Sequence, residues 1–334
     1  MKRAGNLLLQ VADPDNLRLA AWKAAKGKRH AQEVLKWSAH VDKHLYVLRQ
    51  QILSGQVEVG NYRYFKVFEP KERQICASAF GEQVLHHALM NLCHEYFERA
   101  QIFDSYASRK GKGTYAALER AKTYTNKYDW YLKLDVRKFF ESISHEVLVD
   151  QLARMFKDAA VVGIFEQIIH SYEASPGRGL PIGNLTSQYF ANHHLVGLDR
   201  FVKEKLRIRA YVRYMDDMVF WHSDKEILRT AKHAVQDYLE TALRLSLKPE
   251  AFNRTRCGLP FLGYHVFPHH VRLLQKSKQR FARKLRRIDD AYHSGVWNEA
   301  KCQRRAVPLL AFTGHADAKR LQESVLLGLQ GQLP

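Results

Sequence analysis

Two adjacent aspartates inside an apolar hairpin constrain this chain more than any other feature. Tyr214-Met215-Asp216-Asp217 lies between Tyr211-Val212 on one side and Val219-Phe220-Trp221 on the other. The apolar arms read as strands and the residues between them as a tight turn. Neighbouring carboxylates in such a setting repel each other and lose hydration, so turn geometry alone does not explain the pair. A further aspartate ends an apolar run upstream: Trp130–Val136 reads as a short strand carrying Asp135 near its end. A hard divalent cation removes the conflict, because Mg²⁺ prefers carboxylate and phosphate oxygens. Two such ions about 4 Å apart can activate a hydroxyl nucleophile and stabilise a leaving pyrophosphate.

Charge points the same way. The 334 residues carry 53 Lys+Arg against 34 Asp+Glu, a formal net charge of +19, which favours a polyanionic partner. Residues 272–287, RLLQKSKQRFARKLRR, are densely basic and contain no acid; a solvated helix face normally mixes signs, so this stretch reads as a phosphate-tracking surface. An apolar share of 46% argues against wholesale disorder, and no window is long and apolar enough for a membrane span. The three leucines at 7–9 are followed closely by aspartates, too short a patch for a signal peptide. Cys76, Cys93, Cys257 and Cys302 form no CxxC pair, so a reducing cytosol is the expected compartment.

Periodicity predicts a helix over 31–54 stopped by Gly55, a strand from Tyr62 to Glu69, and a helix over 82–99. Ser144 is the expected N-cap of a helix carrying Val147, Leu148, Leu152 and Met155. Further helices are predicted from about Thr186 to Leu206, through Ile227–Ala242, and from about Leu273 onward. Leu245–Leu247 and Phe261–Phe267 are short strand candidates. The middle of the chain therefore reads as an α+β sheet with helices on one face. The pairs His86-His87, His193-His194 and His269-His270 read as surface or polar-contact residues, because neighbours on a helix point about 100° apart and do not converge on one ion.

Tyr214-Met215-Asp216-Asp217 resembles the YxDD signature of reverse transcriptases, and other blocks of that family stand around it in order. Glu69–Ile75 and Ser108–Thr114 resemble two fingers blocks, Leu134–Phe140 the palm block with the first metal ligand, and Phe261-Leu262-Gly263-Tyr264 the primer-gripping hairpin. Gly179–Gln188 narrows the resemblance to the reverse transcriptases of diversity-generating retroelements. Ile182-Gly183 and Ser187-Gln188 stand where most reverse transcriptases have Gln-Gly and Ser-Pro. Gly81-Glu82 departs from the Asp-Arg pair of many relatives. The resemblance implies a right-hand polymerase: a helical extension over 1–60, fingers over 61–128, a palm over 129–268 with a fingers insertion around 150–185, and a helical thumb over 269–334.

It implies roles as well. Asp135 and Asp216 are the expected ligands of two Mg²⁺ ions, or Mn²⁺ in their place, with Val136 beside them and Asp217 in support. Lys71, Arg73 and Arg109 are expected to meet the triphosphate, and Lys248 to protonate the pyrophosphate. Phe140 is the expected barrier to a ribose 2′-hydroxyl. Ile182, Gly183 and Gln188 are expected at the nascent base pair, and Arg178 under the template. Tyr214, Met215, the 261–264 hairpin, and Lys276, Lys278, Arg280, Arg283, Lys284 and Arg287 are expected on the primer–template duplex. The implied partners are an RNA template, an RNA/DNA duplex, dNTPs and a small basic accessory variability protein. The implied reaction is error-prone copying of a template-repeat RNA, concentrated at template adenines. An antiphage or retron-like reverse transcriptase remains the alternative.

Overall fold

The computed structural model describes residues 5–68 and 72–330, which divide into two compact units. Residues 1–109, 135–207 and 233–248 form the first, and 110–134, 208–232 and 249–334 the second. The helix Lys225–Ala242 belongs to both.

The first unit is built on the helix Phe80–Ala100, whose buried side include Val84, Leu85, Leu89 and Phe97. Helix Pro14–Ala25 packs along it. That helix starts where its sequence says it should: Asp13 caps it through bonds from the Asp15 and Asn16 amides, and Pro14 takes the first position. Phe97, Phe156, Phe165 and Phe190 form an aromatic core with ring centroids 5.3–6.4 Å apart. Strands β1 (Tyr62–Val67) and β2 (Arg73–Ser78) pair antiparallel, Tyr62 opposite Ser78 and Val67 opposite Arg73.

The helix expected over 31–54 is two helices, Gln32–Ser38 and Val41–Ser54. The break lets His44 Nδ1 bond the Trp37 carbonyl at 2.9 Å and stack on the Trp37 ring. Gly55 ends the second helix in the left-handed region, φ 71°, as expected. The helix expected from Thr186 to Leu206 is likewise interrupted, running Leu185–His194, Val196–Arg200 and then a π turn, Phe201–Lys205. Ser144 does precede helix His145–Met155, but its side chain makes no capping bond.

In the second unit a four-stranded sheet runs in the order β4 (Tyr211–Tyr214), β5 (Asp217–His222), β3 (Trp130–Asp135) and β6 (Ala251–Arg254). Strands β4 and β5 pair antiparallel, as do β3 and β6. Helix Thr114–Lys127 packs on β4, and Trp221 Nε1 donates to Thr125 Oγ1 at 3.1 Å within that layer. A three-stranded antiparallel sheet, β7 (Leu259–Phe261), β8 (Tyr264–Val266) and β9 (Val271–Leu273), leads into helices Gln275–His293, Glu299–Gly314 and Lys319–Gln330. Leu247 forms only an isolated bridge with Val136. Among the described residues no helix is long and apolar enough to cross a membrane.

Candidate active site

The paired aspartates occupy the β4–β5 turn. Tyr214 pairs with Asp217, and Met215 takes φ 56°, the left-handed geometry needed to reverse the chain in two residues. A buried arginine supports the turn: Arg213 is fully buried and its guanidinium donates to the Met215 carbonyl at 3.1 Å. Tyr214 exchanges a hydrogen bond with Thr114 at 3.1 Å between hydroxyls. Strand β5, which starts at Asp217, neighbours β3, which ends at Asp135.

Lysines sit on two of these carboxylates. Lys133 Nζ lies 3.1 Å from Asp217 Oδ2 with both side chains largely buried. Lys133 and Asp135, two residues apart on β3, point to one face of the sheet. Lys248 Nζ lies 2.5 Å from Asp135 Oδ1, and its amide bonds the Asp135 carbonyl at 2.8 Å. Arg137 N bonds Ser246 O at 2.8 Å, so 246–248 runs as a short backbone partner to 135–137. Lys133 was not among the expected site residues, although the period of two along the strand was available to find it.

Among the described residues no group of three or more His, Cys, Asp or Glu side chains closes into a cluster that could hold a metal. The donor chemistry nevertheless fits a hard cation. Asp135 and Asp217 each hold an ammonium, and a nucleotide brings phosphate oxygens to complete a set. Val136 is wholly buried and its aliphatic side chain has no donor atom, so the backbone carbonyl is the one group it could bring to an ion.

The residues expected on the nucleotide side belong to the first unit. Phe140 is half-buried in the helical turn Phe139–Ser142, its carbonyl accepting from Leu180 N at 2.7 Å. Ile182 is half-buried and its carbonyl accepts from Cys76 N of β2 at 2.8 Å. Gly183 has φ 133°, and a Cβ there would stand 2.7 Å from the Cys76 carbonyl, so the close approach to β2 requires glycine. Gln188 is exposed and its side-chain oxygen accepts from Ser108 at 3.0 Å. Arg73 is exposed at the start of β2; Lys71, with Glu69 and Pro70, lies outside the described residues.

Several expected contacts are placed otherwise. Arg109 is 8% exposed, and its guanidinium bonds Glu98 at 2.6 Å and the Ile102 and Ser105 carbonyls at 2.6 and 2.7 Å. It braces the fold and is not a free cation for a triphosphate. Arg178 donates to the carbonyls of Ser142 and Arg244 at 3.1 and 2.9 Å, and so holds a loop. Phe261 and Tyr264 are fully buried, and the Tyr264 hydroxyl donates to Phe312 O at 2.7 Å. The chain reverses between them at Leu262 and Gly263, φ 50° and 92°, which leaves those two half-buried at the tip of the hairpin.

On helix Gln275–His293 the buried side is Ser277, Phe281 and Leu285. Lys276, Arg283 and Arg287 are exposed, whereas Lys278, Arg280 and Lys284 are half-buried, with Arg280 over the Phe312 ring. Of the histidine pairs, read as surface or polar-contact residues, His86 and His194 are buried in polar contacts: His86 Nε2 lies 3.5 Å from Glu82 and His194 Nδ1 2.8 Å from Gln151. Burial, reinforced by His193, holds the His194 pKa down at about 3. Glu82, at the departure from the Asp-Arg pair, is also buried, accepting from Gly60 N at 3.1 Å. Beside it the Tyr62 hydroxyl bonds Ser171 at 2.7 Å; burial and then the Glu82 charge raise its pKa above that of ordinary tyrosine.

The model of the family "Reverse transcriptase (RNA-dependent DNA polymerase)" matches residues 71–266. The Putative COX1/OXI3 intron 2 protein of Saccharomyces cerevisiae is 22% identical over 273 residues, covering 62% of this chain and 31% of that protein. Nuclear intron maturase 1, mitochondrial, of Arabidopsis thaliana is 20% identical over 132 residues, covering 39% of this chain and 18% of the relative. The chain thus spans less than a third of either protein's length. Among solved structures, apo telomerase from Candida Tropicalis shares the fold, with a TM-score of 0.54 and 12% identity over 88% of this chain and 64% of that one. With more than half of its length matched by the family model, the chain belongs to the reverse transcriptase (RNA-dependent DNA polymerase) family.

Proposed function

We propose that the chain is an RNA-directed DNA polymerase working by metal-assisted nucleotidyl transfer. The observation that carries this reading is the lysine-covered carboxylate set: Lys248 on Asp135, and Lys133 on Asp217 in the adjoining strand. Asp135 and Asp216 are the principal ligands for two Mg²⁺ ions, with the Val136 carbonyl and Asp217 in support. Bound there, the ions supply activation of the primer 3′-hydroxyl and offset charge on the pyrophosphate.

The chain's own residues do the rest. Lys248, beside Asp135, gives a proton to the departing pyrophosphate. Lys71 and Arg73 bind the triphosphate as fixed cations. Phe140 excludes a ribose 2′-hydroxyl by its bulk, while Ile182, Gly183 and Gln188 line the side of the nascent base pair. Tyr214, Met215, Leu262 and Gly263 orient the primer end. Lys276, Arg283 and Arg287 bind duplex phosphates, with Lys278, Arg280 and Lys284 flanking them.

The finer reading is a diversity-generating retroelement polymerase that copies a template-repeat RNA with errors at adenines and works with a small basic accessory protein. Ile182 supports it, because its side chain offers no amide hydrogen bonds with which to check a base pair.

Primer extension on a defined RNA tests both levels. Asp216→Asn should abolish incorporation, and unchanged incorporation would refute the catalytic assignment. Sequencing of the products should show errors concentrated at template adenines and reduced by Ile182→Gln. Errors equal at all four bases would remove the retroelement reading and leave the polymerase.

A further inference from the structure

Phe140 and Ile182 are distant in sequence but share one hydrogen-bonded frame in the first unit. Leu180 N donates to Phe140 O at 2.7 Å, Gly179 N to Ile143 O at 2.9 Å, and His145 N to Gly177 O at 3.0 Å. Ser144 and Arg178 form a bridge between the same two segments. The loop 177–183 is therefore fastened at one end to the turn that carries Phe140. At the other end Cys76 N holds the Ile182 carbonyl, and Gly183 abuts β2.

One buried side chain closes this frame. His145 is 1% exposed, and its Nε2 lies 2.8 Å from Gly179 O. A carbonyl oxygen only accepts, so Nε2 carries the hydrogen and Nδ1 of the neutral ring is a bare lone pair. Nδ1 is buried and has no hydrogen-bond partner among the described residues. A proton there would bury an unmatched donor, and burial holds the His145 pKa below the ordinary histidine value. Gly179 itself has no slack: at φ 117° a Cβ would stand 2.8 Å from Ala174 N.

We propose that His145 is a positioning residue that couples sugar selection at Phe140 to base selection at Ile182 by fixing the loop between them. The inference rests on the assignment of Phe140 and Ile182 to the nucleotide pocket. With the Nε2–Gly179 bond gone, the loop loses a buried tether, and both ends of the pocket loosen together. A buried hydrogen bond of this kind corresponds to roughly a five- to tenfold effect on discrimination.

Single-nucleotide extension with each dNTP and rNTP tests it, using His145→Leu, His145→Gln, Phe140→Ala and Ile182→Gln, with thermal melting to certify folding. His145→Leu should lower the dNTP/rNTP and correct/incorrect ratios by similar factors. KM for the correct dNTP should rise while kcat stays within about twofold. His145→Gln, whose amide N–H reaches toward Gly179 O, should restore both ratios. Should His145→Leu fail to fold, His145→Asn, whose amide stops short of that oxygen, takes its place with the same expectation. If Phe140→Ala and Ile182→Gln shift their own ratios but the His145 variants shift neither, or shift only one, the coupling is refuted. If Phe140→Ala and Ile182→Gln themselves leave the ratios unchanged, the pocket assignment falls, and the coupling with it.

Discussion

Acidification should destabilise this protein through its buried histidines, and the share of one of them can be isolated. His194 is fully buried at the end of helix Leu185–His194, with Nδ1 2.8 Å from Gln151 Oε1. Burial and then His193 depress its pKa from an ordinary 6.5 to about 3. In the unfolded chain the ring takes up a proton as pH falls through about 6.5, whereas the folded ring refuses it down to about 3. The unfolded state then binds more protons, so stability is full above the unfolded pKa and falls steadily as pH drops toward the folded one. At pH 5 this one group should already have removed about 2 kcal/mol, a large fraction of a total on the order of 5–15 kcal/mol. Urea unfolding at pH 7, 6 and 5 measures it. His194→Gln removes the titration and keeps a side chain able to bond Gln151, so its stability should fall by about 2 kcal/mol less across that range. His193 and His87, each lowered to about 4, titrate in both proteins, so the difference isolates His194. Identical pH slopes for the two proteins would refute the argument.

Other expectations follow from single contacts. Arg109→Met removes bonds to Glu98, Ile102 and Ser105 and should cost about 3 kcal/mol in denaturant unfolding, while KM for dNTP in the folded enzyme stays unchanged; a raised KM without lost stability would restore the triphosphate role. Lys133→Met removes one ammonium from Asp217 and should cost about 1 kcal/mol of stability in metal-free buffer, with added Mg²⁺ recovering part of it in a thermal melt. Removing one exposed cation at a time from Lys276, Arg283 and Arg287 should weaken duplex binding for all sequences alike and reduce the log-affinity against log-salt slope by roughly 0.7–0.9 per charge.

Much of the candidate site's framework was legible because its residues break local rules. Carboxylates amid apolar strands stand out on a single pass, and the β4–β5 hairpin and β3 occupy the expected stretches. The period of two along β3 also places Lys133 on the face of Asp135, a basic residue that the carboxylate pattern does not mark. What was illegible depended on partners remote in sequence. Arg109 read as a free cation because Glu98 and two carbonyls meet it only after the chain folds. Phe261 and Tyr264 read as a grip, whereas Phe312, far along the chain, draws the Tyr264 ring into the core. The break at Ala39–His40 escaped periodicity because the apolar spacing of 31–54 continues through it.

The amino-acid sequence by itself determined the family: three aspartates, a +19 charge concentrated in part on one basic stretch, and the order of its motifs. These are properties of residue types and spacings, which survive without coordinates. The tertiary structure decided which charges are neutralised and which backbone segments are tied together. Ion pairs such as Lys248–Asp135 and hydrogen bonds such as His145–Gly179 join residues that no local pattern associates. Their energies depend on burial and distance, and folding alone sets both.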